Sequence, residues 1–500
     1  MTSQDIVISP GAILLLNDGT GNFTFVDKGD TRKWTNHRHA CFDADSRGGL
    51  DIWTASGSYD PILLLNEGTL VLESHDGGDA TNERGKNNHA EAFDANGDGY
   101  LDLYISTFEG KNKLLLNDGT GKFKSHSSQT TERSGLSKHA LAFDANGDGH
   151  PDLYVTNGAY NGFDANGVYN LAYSEQPNQY NELFLNDNEG KGNFVFVSKE
   201  DAGDVIGHDG PMSTASEGDV LQSDYAMAFD CDNDGDLDLL LVRQHPSEPS
   251  GLFLNDGSGS FAYSPNAVQE LTGDGNTVHP KMAVALDADN DGDMDLFVVM
   301  HGGPTMFFLN NGQGVFASID AGDATKDEWV YLGNQHMGNI MHGMHWEMAV
   351  VGDFNLDGFP DLYVVAHSSE QTYVEKNVLL LNEGSSSDGV SFVSADGGDL
   401  PTFVVDGPPR EDLSFAAIDI DQDGDLDLIG LGHHSVAGYM VLFDSSALYV
   451  NDGSANFKRF DLGWFLMIKL NSKLLLAILT PMVIRISSLP HLEEGLTRSI

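Results

Sequence analysis

Residues 92–105, AFDANGDGYLDLYI, set oxygen-bearing side chains at alternate positions: Asp94, Asn96 and Asp98, then a turn at Gly99 and a further carboxylate at Asp102. Carboxylates this close repel one another unless a cation sits among them. In a tight loop the side chains at positions 1, 3 and 5 converge on one point. Glycine at 6 makes the turn, the carbonyl of 7 adds an oxygen, and a carboxylate at 9 can close the shell. Hard oxygen donors in that number suit Ca²⁺, which takes roughly 6–8 of them. Magnesium keeps its waters, and zinc prefers His or Cys. An EF-hand would reach Glu at position 12 and continue as a helix, whereas here Asp at 9 leads into a strand-like run.

The phrase recurs along the chain. The expected ligand sets are Asp94, Asn96, Asp98, the Tyr100 carbonyl and Asp102 in one copy, and Asp144, Asn146, Asp148, the His150 carbonyl and Asp152 in the next. Further on come Asp230, Asp232, Asp234, the Asp236 carbonyl and Asp238, then Asp287, Asp289, Asp291, the Asp293 carbonyl and Asp295. The last two sets are Asp353, Asn355, Asp357, the Phe359 carbonyl and Asp361, and Asp419, Asp421, Asp423, the Asp425 carbonyl and Asp427. A first copy, DADSRGGLD at 43–51, carries Arg47 at position 5. Its guanidinium can neutralise Asp43, Asp45 and Asp51, so no metal is expected there. One acidic turn without a cation is commonplace, but the repetition argues for about six Ca²⁺ ions.

A second phrase follows each copy, as in LLLNDGTGKF at 114–123 and LFLNDGSGSF at 252–261. It reads as a hairpin: an apolar strand, an Asn-Asp-Gly turn and a short strand carrying Phe. Alternating runs such as HAEAF (89–93) and LDLYI (101–105) flank each acidic loop. Each unit is therefore four strands, with the acidic loop joining the first to the second. The first Asp of successive copies falls at 43, 94, 144, 230, 287, 353 and 419. Sandwich domains would need ~100 residues per repeat, so the expected fold is an all-β propeller of four-stranded blades.

Composition agrees. With 76 Asp+Glu against 26 Lys+Arg the formal charge is −50, which argues against nucleic acid and anionic membrane surfaces. At 40% hydrophobic residues with 27 Phe the chain is too apolar for an acidic disordered protein. Cys41 and Cys231 both sit in strand patterns and read as buried free thiols.

The D-x-D/N-x-D-G-x-x-D loop followed by the LLLNDGTGxF hairpin resembles the FG-GAP, or VCBS-type, repeat. That repeat builds the propeller head of integrin α subunits and many secreted or surface proteins. Wording such as GDFNLDGFPDLYVV, at 352–365, is also similar to the cartilage acidic protein group. The resemblance spans about residues 6–460. It implies calcium binding and an extracellular or cell-surface setting. For function it leaves adhesion, sugar binding and, more rarely, catalysis.

Seven units are complete. Residues 6–28 supply strands two to four of another, without its first strand or acidic loop. WFLMIKL (464–470) is a candidate for the missing strand, which makes eight blades the preferred reading over seven. The propeller is expected over 1–461, and a divergent tail over 462–500. The tail's apolar LLLAILTPMVI (474–484) is short of the ~20 residues a membrane helix needs, so membrane association would come only through this tail or a missing region. No secretory leader is visible at the start, which reads as a hairpin already in progress.

Acidic loops and NDG turns share one face, and the long irregular segments fall on the other, where binding usually resides. The 157–182 insertion carries Tyr160, Tyr173 and Tyr180, and the 327–347 segment carries Trp329 and Trp346. These aromatics are the candidate contacts for a glycan or protein ligand, the alternative being loop residues that pack on their neighbours. His39, His89 and His139 recur before the inner strands and read as hydrogen bonds to a neighbouring blade. Gly-Asp pairs such as Gly78-Asp79 and Gly203-Asp204 read as linker turns. No G-x-S-x-G, H-E-x-x-H or P-loop is present. A binding or adhesion module is thus preferred over a carbohydrate-active enzyme.

Overall fold

The computed structural model describes residues 6–8, 13–17, 23–26, 38–47, 51–55, 61–66, 72–82, 87–126, 134–157, 181–187, 190–205, 225–242, 250–264, 279–301, 304–325, 345–367, 377–386, 389–400, 411–419, 423–436, 439–442, 447–461, 464–470 and 473–479. They are almost all β, in antiparallel four-stranded units of the kind propeller blades are made of. The second unit is typical: Asn87–Phe93, Asp102–Lys111, Lys113–Asn117 and Phe123–His126, each pairing with the next. Its second strand is a fully buried run, with Leu103, Tyr104 and Ile105 all at 0% exposure. That is why this strand reads as continuous apolar residues while the outer strand alternates.

The units pack face on face. Ala40, Phe42, Trp53 and Leu63 of the first form one cluster with Ala90, Leu103, Leu115 and Phe123 of the second. Further clusters join the second unit to the third, and so on through to the seventh. In four units the Phe of the hairpin has a specific partner, the residue that ends the preceding unit's first strand. Phe42–Phe123, Phe93–Phe194, Phe143–Phe261 and Phe229–Phe316 meet edge-on at 6.1–6.4 Å between centroids. Burying one such ring contributes about 1.5–3 kcal/mol, and the tilted pairing adds to it.

The linker Gly-Asp pairs are more than turns. Gly78, Gly203, Gly322 and Gly398 each form a parallel bridge with the outer strand of the following unit, at Phe123, Phe261, Phe392 and Phe457. The aspartate behind each glycine then accepts a backbone N–H two residues further along that strand: Asp79 from Ser125, Asp204 from Tyr263, Asp323 from Ser394 and Asp399 from Arg459. Each of these four linkers thus latches one unit to the next.

Residues Ile6–Ile8, Ile13–Asn17 and Phe23–Val26 form a three-stranded sheet. Trp464–Leu470, the candidate for the strand missing from that first sheet, pairs with Lys473–Leu479 in a two-stranded hairpin. Among the described residues no helix is long and apolar enough to cross a membrane.

Candidate metal centres

Each acidic loop is wound by its own carboxylates. Asp94 accepts from the backbone N–H groups of Gly97 and Asp98 through Oδ1 and of Gly99 through Oδ2. Asn96 Oδ1 and Asp98 Oδ1 accept from Asp98 N and Tyr100 N, both at 2.9 Å. Asp144, Asp287 and Asp353 repeat the contact with the glycine five residues on. That glycine has φ between +85° and +99° in the loops, and a Cβ there would meet nothing within 4 Å. Its requirement is conformational, not steric.

The carboxylates converge as the spacing implies. One oxygen each from Asp230, Asp232 and Asp234 lies within 4.8 Å of the others, as do those of Asp287, Asp289 and Asp291. In the first of these loops Asp230 Oδ1 and Asp232 Oδ1 are shielded from solvent with no hydrogen-bond donor among the described residues, and the same holds for Asp419 Oδ1 in the last loop. A shielded carboxylate oxygen without a donor is costly. Together with an all-oxygen donor set, these atoms fit a hard divalent cation. Asp421 lies outside the described residues. In the first copy, Asp43, Asp45 and Asp51 also cluster, and Arg47 Nε stands 3.5 Å from Asp45 Oδ2.

The ninth-position aspartates have a further engagement. Asp102 is fully buried and uses both oxygens: Oδ2 accepts from Ala95 N within the loop, and Oδ1 from Asn117 N in the NDG hairpin. Asp152, Asp238, Asp295 and Asp361 do the same toward Asn186, Asn255, Asn310 and Asn382. Each of those asparagines then reaches backward. Asn117 Nδ2 donates to Ala44 O, Asn186 to Ala95 O, Asn255 to Ala145 O, Asn310 to Cys231 O, Asn382 to Ala288 O and Asn451 to Phe354 O. Every acceptor is position 2 of the preceding unit's acidic loop. The loops are therefore strung together through the LLLN asparagines, whose recurrence the sequence shows but whose partner it does not. Turn and loop also touch within a unit: a Cβ on Gly119 or Gly257 would strike the position-7 side chains of Tyr100 and Asp236 at 2.5 and 2.4 Å. This contact puts the NDG turns and acidic loops on one face.

Burial pushes Asp102 and Asp295 up to about 7, and Asp152, Asp361 and Asp232 up to about 6, with neighbouring carboxylates raising them further. Burial likewise raises Glu91 to about 7, and it lowers His139 to about 4. Without metal, the folded chain thus keeps carboxyl protons that the unfolded chain loses above pH ~4. That stability is present below pH ~4 and is lost as pH rises toward 7. His139 works the other way, losing stability as pH falls from about 6.5 to 4, but it is one group against six. In chelator, the melting temperature should therefore fall between pH 4 and 7. In calcium, which competes with those protons, it should rise over the same window. Parallel pH profiles in the two buffers would contradict this.

Among the inner strands, His89 Nδ1 accepts from Ala140 N of the next unit at 3.4 Å, the interblade bond expected of it. Its ring lies 4.3 Å from that of His139, which in turn lies 5.4 Å from Tyr225. His39 is not their equivalent. It pairs with Thr54, three steps from the Phe42–Asp51 pair, whereas His89 pairs with Ser106, four steps from Phe93–Asp102. Trp346 lies in strand His345–Gly352, opposite Ala366. Tyr160, Tyr173, Tyr180 and Trp329 lie outside the described residues.

The FG-GAP-like repeat family matches this chain at residues 94–155, 230–298 and 287–364. Each matched stretch begins at the first aspartate of an acidic loop. No curated protein matches the chain. Among solved structures it is similar to an Agrocybe aegerita lectin described as recognising non-reducing terminal N-acetylglucosamine, at 16% identity and TM-score 0.49, over 83% of this chain and 91% of that one. It is also similar to BBS1N in complex with ARL6DN, at 9% identity and TM-score 0.38, over 79% and 88% of the two chains. A fucose-specific lectin from Aleuria aurantia matches at 12% identity and TM-score 0.32, over 72% and 92%.

Proposed function

We propose that this FG-GAP-type repeat propeller is a calcium-stabilised binding or adhesion module, working outside the cell or at its surface, that recognises a glycan or protein ligand. The observation that carries calcium is the shielded oxygen pair Asp230 Oδ1 and Asp232 Oδ1, which no donor among the described residues satisfies. Asp230, Asp232, Asp234 and Asp238 would hold the ion, joined by the Asp236 carbonyl. The ion would supply charge neutralisation and loop rigidity, and no bond-making step. Equivalent sets serve the loops beginning at Asp94, Asp144, Asp287, Asp353 and Asp419.

The working surface is the face opposite these loops. The loop face is committed to turn-winding hydrogen bonds and the Asn relay, while the 157–182 and 327–347 segments carry clustered aromatics. Titration calorimetry should give calcium binding with extracellular-type affinity, on the order of 10⁻⁴–10⁻³ M or tighter, and little response to magnesium. A glycan array screened in calcium and in chelator would then identify the ligand. Tyr173→Ala and Trp329→Ala should each weaken its binding by ~2 kcal/mol if they are hot spots, with calcium binding and melting unchanged. Full affinity in both variants, together with losses from substitutions in the NDG turns, would move the site to the other face.

A further inference from the structure

Two of the acidic loops carry asparagine followed by glycine at positions 3 and 4: Asn96-Gly97 and Asn146-Gly147. Glycine lacks the Cβ that otherwise keeps a backbone nitrogen away from the preceding side-chain carbonyl. The folded loop holds both partners apart. Asn96 Oδ1 accepts from Asp98 N, Asn96 Nδ2 donates to Asp98 Oδ2, and Gly97 N donates to Asp94 Oδ1 at 2.8 Å. In the next loop Asn146 Oδ1 accepts from Asp148 N at 3.1 Å. No hydrogen bond from Gly147 N to Asp144 matches the one that Gly97 N makes, among the described residues. Gly97 and Gly147 are both exposed, so water reaches the site.

We propose that Asn96 and Asn146 are deamidation sites gated by calcium, an inference that rests on the calcium reading above. When the loop is empty and opens, the nitrogen of Gly97 or Gly147 attacks the asparagine Cγ. The new C–N bond closes a five-membered succinimide. The Cγ–Nδ2 bond breaks, and the amide nitrogen leaves as ammonia, carrying the proton from the glycine nitrogen. One water then opens the ring at either carbonyl, leaving aspartate or isoaspartate. A bound ion ligated by Asn Oδ1 keeps the loop wound and the nucleophile tied, and so slows the first step.

The two products act in opposite directions on the site. Aspartate at 96 or 146 gives the four-carboxylate set already present in the loops at 230 and 287. Isoaspartate inserts a methylene into the main chain between positions 3 and 4, which puts positions 1 and 3 out of step with 5 and 9. The chain contains its own controls. Asn355 occupies the same loop position but precedes Leu356, whose side chain obstructs the attack. Asn311-Gly312 is an Asn-Gly pair in a hairpin turn, with no ligand role.

The full chain would be aged at mildly alkaline pH in calcium or in chelator, then mapped by peptide mass spectrometry with an isoaspartate assay. Asn96 and Asn146 should convert several-fold faster in chelator, with Asn146 ahead of Asn96. Asn355 should stay intact, and Asn311, whose turn meets an acidic loop only from outside, should gain less from chelator than Asn96 and Asn146. If calorimetry shows calcium binding but Asn96 and Asn146 convert no faster than Asn355, or at one rate in both buffers, the inference is overturned. If calorimetry shows no binding and the rates are equal, it is the calcium reading that fails.

Discussion

Chelating calcium should lower the melting temperature of this protein more than any single substitution. A ligand that binds only the folded state stabilises it by about 2.7 kcal/mol when present at a hundredfold its Kd. Several such loops together rival the ~5–15 kcal/mol that holds an ordinary domain folded. The structural reason is local: without a cation, carboxylates within 4.8 Å of one another at 230–234 and 287–291 must repel or take up protons. Asp234→Ala should then destabilise more than Asp45→Ala, because Arg47 already sits beside Asp45. Thermal melts of both variants in calcium and in chelator test this, with the difference vanishing in chelator. Equal losses in calcium would show that Arg47 does not keep the first loop free of metal.

Gly203→Ala should cost about 3 kcal/mol or more. Gly203 has φ +71°, and a Cβ there would lie 2.2 Å from Phe261 O, a backbone atom of the next unit. That carbonyl cannot retreat without losing the bond it accepts from Asp204 N at 2.8 Å. Gly235→Ala, compared in chelator so that its calcium loop is empty, is the matched control. It also has positive φ, +96°, but nothing stands within 4 Å, so without the ion only the conformational cost of about 1–2 kcal/mol applies. Denaturant melts in chelator should rank the two clearly, since the latch at Gly203 does not involve the metal loops. Equal costs would mean that the linker does not clamp the neighbouring unit.

Much of the fold and of the candidate site was legible because both repeat at short range. The acidic spacing from Asp94 to Asp102 is a property of nine consecutive residues, and a loop that short leaves its side chains few places to point. Four strands per unit followed from alternation and from the NDG turns, since hairpins join neighbours in sequence. What connects one unit to the next could not be read that way. Asn255 reads as a turn residue, yet its Nδ2 bonds Ala145 O, 110 positions away. Gly203-Asp204 reads as a linker, yet it pairs with Phe261 and Tyr263. The recurrent histidines read as one set, and strand register separates His39 from His89. The content of each unit is written locally in the chain: its strands, its turns and the donors its acidic loop can offer a cation. How those loops are tied into one face emerges only in the folded molecule, because a hydrogen bond between units depends on where two distant backbones meet, and no local pattern encodes that distance.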